Sequence, residues 1–294
     1  MPTLHGQVGF ELQRALAPVG EVCAVDQLEC DVSDATAIRA LVRSFKPHVI
    51  VNPAAYTAVD KAESEPEIAH AVNAVAPGVL GEEAAKRNAW VVHYSTDYVF
   101  DGTKLGAYTE EDLTNPLSVY GRTKRDGEIA LQASGARHVI FRTSWVVGAH
   151  GSNFAKTILR LAVERERLNV VADQHGAPTS AALLADVTAQ VIRQRQREGD
   201  DNFPFGLYHL VASGETTWCD YARFVVAEAL ALGQSLTLSP DSIRAIPSSD
   251  YPTAATRPSN SRMDTSKLRR TFGFELPDWQ SGIRHILQQV VVNP

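Results

Sequence analysis

Cysteine is scarce in this chain. There are three in 294 residues, Cys23, Cys30 and Cys219, and no CxxC pair. So small and odd a set excludes a disulfide framework and fits reduced thiols, with all three structural or incidental. No apolar run approaches the ~20 residues needed to cross a bilayer. The opening Met1-Pro2-Thr3-Leu4-His5-Gly6 lacks a basic segment followed by an apolar one, so a secretory leader is not expected. An excess of positive charge is missing too. The net charge of −6 argues against a general nucleic-acid or anionic-membrane binder, while leaving room for a local basic pocket. No His, Cys or carboxylate cluster has metal-site spacing. The expectation is a cytoplasmic protein with no nucleic-acid partner, no membrane partner and no metal.

What is present is ordinary globular composition, 44% hydrophobic and 21% charged, in a chain long enough for one large or two moderate domains. Short β-rich runs alternate with longer helical patterns. Strands are predicted at Val22–Val25, His48–Val51, Trp90–Tyr94 and His138–Thr143. Helices are predicted at Asp34–Lys46, over much of Glu65–Arg87 with a break near Pro77-Gly78, and at Tyr120–Gln132. After Trp145 come helices at Phe154–Arg165, Ala181–Arg197 and Thr217–Leu232, joined by polar, proline-containing connections. This alternation predicts an α/β fold, a Rossmann-like doubly wound parallel sheet covered on both faces. Residues 1–147 with roughly 181–212 form the expected dinucleotide-binding domain. Residues 148–180 and 213–294 form a smaller C-terminal substrate lobe.

The chemistry concentrates at Tyr120-Gly-Arg-Thr-Lys124. A tyrosine four residues before a lysine on a helix shares a face with it. A lysine cation favours the phenolate of a phenol whose ordinary pKa is about 10. Thr96, at the end of a preceding strand, can bond the same substrate oxygen. The trio suits proton exchange with a carbonyl or alcohol while hydride moves. Alone the spacing is weak, since chance supplies it in many chains this size. At the other end, Gly6-Gln7-Val8-Gly9 opens a helical pattern, and glycines at a helix start let backbone N–H groups approach a pyrophosphate. Asp26 stands where a carboxylate can accept bonds from an adenosine ribose, and Asp31-Val32 where adenine can rest.

Taken together these residues resemble the extended short-chain dehydrogenase/reductase family. The resemblance runs from Gly6 nearly to the C-terminus. It rests on Gly6–Gly9, Val51–Glu63, His93–Gly102, Asn115–Gly121, Phe141–Trp145, Asn153–Lys156, Asp173–Thr179 and Arg257–Ser261. It implies reduction of the C4 keto group of dTDP-4-dehydro-L-rhamnose by hydride from NADPH or NADH, a step of dTDP-rhamnose biosynthesis that feeds lipopolysaccharide O-antigen. Thr96, Tyr120 and Lys124 are then the catalytic trio, with Tyr120 the proton donor, Lys124 the ribose ligand and Thr96 the group that orients the carbonyl. Gly6, Gln7, Val8, Asp26, Asp31, Val32, Ala54 and Ala55, with Tyr120 and Lys124, are the implied cofactor contacts. Val59, Thr96, Asp97, Tyr98, Trp145 and Arg257 are the implied substrate contacts, Arg257 at the diphosphate. Each has a plainer reading: Trp145 as core, Asp97 as a turn cap, Arg257 as a surface charge. His93 reads as a locally bonded residue rather than a base.

Two departures from the family pattern stand out. Some members form a glutamate- and magnesium-bridged dimer; Glu11 matches one ligand, but Ala182 and Gln289 replace the others, so a monomer or weak homodimer is expected. The stretch before Gly6 is also shorter than the five or six residues of a usual first strand, with Thr3 where a first glycine belongs, and weaker cofactor binding is expected from it. Competing readings are a non-catalytic regulatory subunit of the same fold, or another nucleotide-sugar epimerase or dehydratase. Elimination calls for an acid after Thr96-Asp97, where Tyr98 stands.

Overall fold

The computed structural model describes residues 6–199 and 202–291. The shortened first strand expected before Gly6 lies outside them. Four parallel strands, Val49–Asn52, Trp90–Thr96, Arg137–Thr143 and Gly206–His209, stand side by side in that order. Val49 pairs with Trp90, Trp90 with Arg137, and Val139 with Gly206. Every residue of Trp90–Thr96 is buried, because the parallel sheet carries helices on both faces.

Side chains alternate across the sheet with period two. Trp90, Val92 and Tyr94 point into one core with Leu12, Phe141, Leu184 and Ile192, under the helices Gln7–Leu16 and Ala181–Glu198. Val91 points into the other with Ile38, Ile50, Leu80, Leu131 and Ile140, under Ala35–Phe45, Ala76–Ala85 and Val119–Ala133. A third core joins the helices Phe154–Glu164, Trp218–Ala231 and Trp279–Val291 to the strand pair Leu168–Val171 and Ile243–Ile246. Here Ile158, Tyr221, Val225, Trp279 and Ile283 are buried together.

Three sequence expectations change. Val22–Val25 forms no ladder with any described residue. The chain there is irregular and runs into a turn closed by Cys30 N–H to the Asp26 carbonyl; a β-prone run becomes a strand only with a neighbour to bond it. The helix through Glu65–Arg87 does not break at Pro77. It runs Pro66–His70, widens to a π-turn over Ala71–Val75, and resumes as Ala76–Ala85. Pro77 has no N–H for the carbonyl four residues back, which is Asn73's. That carbonyl turns outward onto Gly127, where a Cβ would come within 2.0 Å of it. The helices Ser266–Phe272 and Trp279–Val291 were not expected at all, although Trp279, Ile283, Ile286 and Leu287 keep a helical spacing.

Candidate functional site

The helix Val119–Ala133 brings the chemistry to the end of the strand Trp90–Thr96. Ser118 caps it, its Oγ accepting from Gly121 N–H at 3.1 Å. Gly121 lets the first turn press onto the chain at Tyr98, since a Cβ there would lie 2.2 Å from the Tyr98 carbonyl oxygen. Tyr120 and Tyr98 meet edge to face at 5.4 Å. The Thr96 hydroxyl donates to Asp97 Oδ1 at 3.0 Å, accepts from Tyr98 N–H at 3.2 Å, and stands beside the Tyr120 phenol. Thr96, Asp97, Tyr98 and Tyr120 are thus one cluster.

Its electrostatics are set by burial. Tyr120 is half-buried, and the surrounding protein pushes its phenol up to about 12, against the opposing pull of the Thr96 hydroxyl. Asp97 is buried and pushed up to about 6, although Thr96 donates to its carboxylate and the Ser261 hydroxyl opposes the shift. Its Oδ2 has no partner, nor have the buried Ser95 and Thr143 hydroxyls nearby on the paired strands. Lys124 is fully buried; it donates to the Tyr94 carbonyl at 2.6 Å and stands 3.4 Å from His93 Nε2. Burial lowers it to about 8, with Glu128 opposing. The expected direct lowering of Tyr120 by Lys124 is absent from this arrangement, because the amine is turned toward the strand.

At the nucleotide end, Gly6 precedes the helix Gln7–Leu16, whose first turn has no side-chain cap. Those N–H groups, with buried Ala54 and half-buried Ala55 past the strand Val49–Asn52, have the donor chemistry and small side chains that a dinucleotide requires. Other predicted contacts are engaged locally. Gln7 Oε1 accepts from Gly148 N–H at 2.7 Å and Asn153 Nδ2 at 2.9 Å, so its side chain ties the helix to a distant loop. Val8 packs into the core. Asp26 Oδ1 accepts from Leu28 and Glu29 N–H, and Asp31 Oδ1 from Ser33 N–H and Oγ: both carboxylates cap their own turns. Val32 packs against the second core.

On the substrate side, Val59 starts the short helix Val59–Ala62. Arg257 forms a bidentate ion pair with Asp60, at 2.7 and 3.1 Å. Trp145 takes a left-handed backbone, φ +48°, rare for so bulky a residue. Its indole stacks on Trp218 at 3.7 Å and lies against Gly176, where a Cβ would come within 2.8 Å of the ring. Sequence reasoning gave no site role to Asn52, Asp60, Trp218 and Ser261, although all but Trp218 lie inside motifs that carry the resemblance; His93, read as locally bonded, does meet Asn52. Glu11 pairs with Arg14 at 3.1 Å and Gln289 contacts His285. Among the described residues, no group of three or more acidic, His or Cys side chains could hold a metal, and no helix is long and apolar enough to cross a membrane.

The model of the RmlD substrate binding domain family matches residues 4–292. The dTDP-4-dehydrorhamnose reductase of Salmonella typhimurium is 51% identical over 289 residues, 97% of this chain and 95% of that protein. That of Escherichia coli K12 is 52% identical over the same shares. The crystal structure of dTDP-4-dehydrorhamnose reductase from Bacillus anthracis in complex with NADP superposes with a TM-score of 0.88 at 30% identity, covering 97% of this chain and 96% of that one.

Proposed function

This chain belongs to the RmlD substrate binding domain family, and from that premise we propose that it reduces the C4 keto group of dTDP-4-dehydro-L-rhamnose to dTDP-L-rhamnose with NAD(P)H. The observation that carries the reading is the hydroxyl cluster of Tyr120, Thr96 and Asp97 beside a buried lysine, in a chain half identical to proteins bearing that reductase's name. A phenol held near 12 keeps its proton through the neutral range, so Tyr120 enters as the acid. Thr96 orients the carbonyl oxygen toward that phenol. Lys124, at about 8, is a cation below that pH, turned toward the Tyr94 carbonyl rather than the phenol. NAD(P)H supplies the hydride when bound. The N–H groups of Gln7 and Val8 after Gly6 would hold its pyrophosphate, Ala54 and Ala55 would leave room for it, and Lys124 and Tyr120 would meet its ribose.

Val59, Asp97, Tyr98 and Trp145 are read as the sugar wall, and Arg257 as the diphosphate ligand, since a guanidinium fork matches phosphate oxygens. The lobe of residues 148–180 and 213–294 would carry substrate, and residues 1–147 with 181–212 the dinucleotide. Three free cysteines suit a cytoplasmic enzyme, working as a monomer or weak homodimer. The test is NADPH oxidation with dTDP-4-dehydro-L-rhamnose, comparing the chain with Tyr120→Phe. The expected result is sugar-dependent oxidation that falls by about two to four orders of magnitude in the variant. Cofactor binding without turnover would instead mark a regulatory subunit.

A further inference from the structure

His93 is completely buried in the middle of the strand Trp90–Thr96, on the face turned toward Lys124, and the proposed reaction gives it no task. Its two ring nitrogens have different neighbours. Nε2 stands 3.4 Å from Lys124 Nζ, and Nδ1 stands 3.2 Å from Asn52 Nδ2. Asn52 is itself buried, and its Oδ1 accepts from Ala54 N–H at 3.2 Å. That bond fixes which way the amide faces, because only its oxygen can accept. The NH2 group is left to donate to His93 Nδ1, so Nδ1 holds a lone pair. A neutral imidazole carries one N–H, and it falls to Nε2. The Asn52 backbone carbonyl also lies near the ring and favours a ring proton. A proton on Nδ1, however, would face the amide N–H at 3.2 Å and leave Asn52 Nδ2 with no acceptor.

An Nε2–H opposite an ammonium sets two donors against each other. Opposite a neutral amine it makes a hydrogen bond. We propose that Asn52, by fixing the tautomer of His93, makes Lys124 release its proton more readily than an ordinary buried lysine–carbonyl contact would. Asn52 and His93 are positioning residues in this scheme, acting only through Lys124. The other groups around Lys124 do not replace them. Glu128 is committed to Arg142 at 2.7 and 2.9 Å. Tyr120 and Asp97 belong to the Thr96 cluster. His138, on the neighbouring strand, bonds its own backbone at Ala136. The Tyr94 carbonyl accepts from either form of the amine. Burial and the Lys124 charge keep His93 well below its usual range, so the ring stays neutral, as this tautomer requires.

The catalytic consequence rests on the reduction proposed above; the tautomer does not. Long-range proton–nitrogen NMR of 15N-histidine protein reads the tautomer directly, with His93→Gln identifying the resonance. The expected signal is an Nε2–H ring that does not titrate between pH 5.5 and 8.5, and an Nδ1–H ring there overturns the proposal. The second arm is Asn52→Leu, which removes the amide and leaves the residue-52 carbonyl to take an Nδ1–H. Nε2 then accepts from the ammonium, and the alkaline limb of kcat/KM moves up by about one pH unit, a tenfold change in the proton equilibrium. A loss of kcat/KM equal at every pH, with the limb unmoved, reveals a merely structural role and also overturns it. If Tyr120→Phe keeps its turnover, the reduction reading fails while the NMR result still stands.

Discussion

The pair Arg142–Glu128 sits in the core behind the site, both side chains nearly inaccessible and joined by two hydrogen bonds. Arg142 also lies over the Phe100 ring at 5.0 Å. Breaking a buried pair leaves an uncompensated charge, which costs about 3–5 kcal/mol. Glu128→Gln is therefore expected to lower the urea midpoint strongly, and to lower the Lys124 pKa further, since Glu128 is the charge that supports it. A variant of unchanged stability would show that the guanidinium finds another partner. At this scale the sequence was legible where neighbours in space are neighbours in the chain. Tyr120 and Lys124 stand four apart on one helix, a spacing that gains weight from the motifs around it. The partner of Arg257 has no such signal, because Asp60 is 197 residues away. Asp26 and Asp31 show the converse: each carboxylate closes its own turn, a local role the sequence reading did not give them.

The start of the helix Ala35–Phe45 was legible because its cap, Asp34, is written locally. The strand at Val22–Val25 and the π-turn before Pro77 were not, since one depends on a ladder partner and the other on what faces the displaced carbonyl. The tight seating of the helix Val119–Ala133 gives the prediction proper to this scale. Gly121→Ala places a methyl group 2.2 Å from the Tyr98 carbonyl, so the helix must back away. Overpacking of this kind costs about 1–3 kcal/mol. A displacement of about 1 Å at Tyr120 lowers kcat by up to a hundredfold. Circular dichroism melting and steady-state kinetics should show both losses; an alanine variant with wild-type kcat would mean that the phenol does not depend on this contact.

Across the whole molecule, pH acts through groups sealed in the cores. Burial keeps His93 well below its usual range and His209 at about 3. The unfolded chain binds those protons near 6.5 and the folded chain does not, so stability falls as pH drops below 6.5. Asp97, raised to about 6, works in the opposite sense, since the folded chain protonates it first. Glu83 is held far below the ordinary carboxylate range by Arg43, Lys86 and Arg39. Its contribution is intact above the unfolded value of about 4.3 and is lost only as pH falls below it. From pH 7 to pH 5 the two histidines outweigh the single carboxylate, and the net effect should be a loss of stability. Urea titrations at the two pH values check this, and equal midpoints would contradict it. The layered α/β architecture was readable from alternation alone; of the third core's helices, Phe154–Glu164 and Trp218–Ala231 were expected and Trp279–Val291 was not.

The Gln7 side chain carries a consequence for biosynthesis. Its partners at Val146, Gly148 and Asn153 follow it by 139, 141 and 146 residues. At about 5–20 residues per second on the ribosome, they emerge on the order of ten seconds later. Until then the helix Gln7–Leu16 lacks its tether, and Leu12 and Ala15 have no covering helix, since Ala181–Glu198 emerges later still. That interval is when a nascent-chain chaperone can hold this segment. The helix is secured only once chain about 140 residues downstream of it has been made.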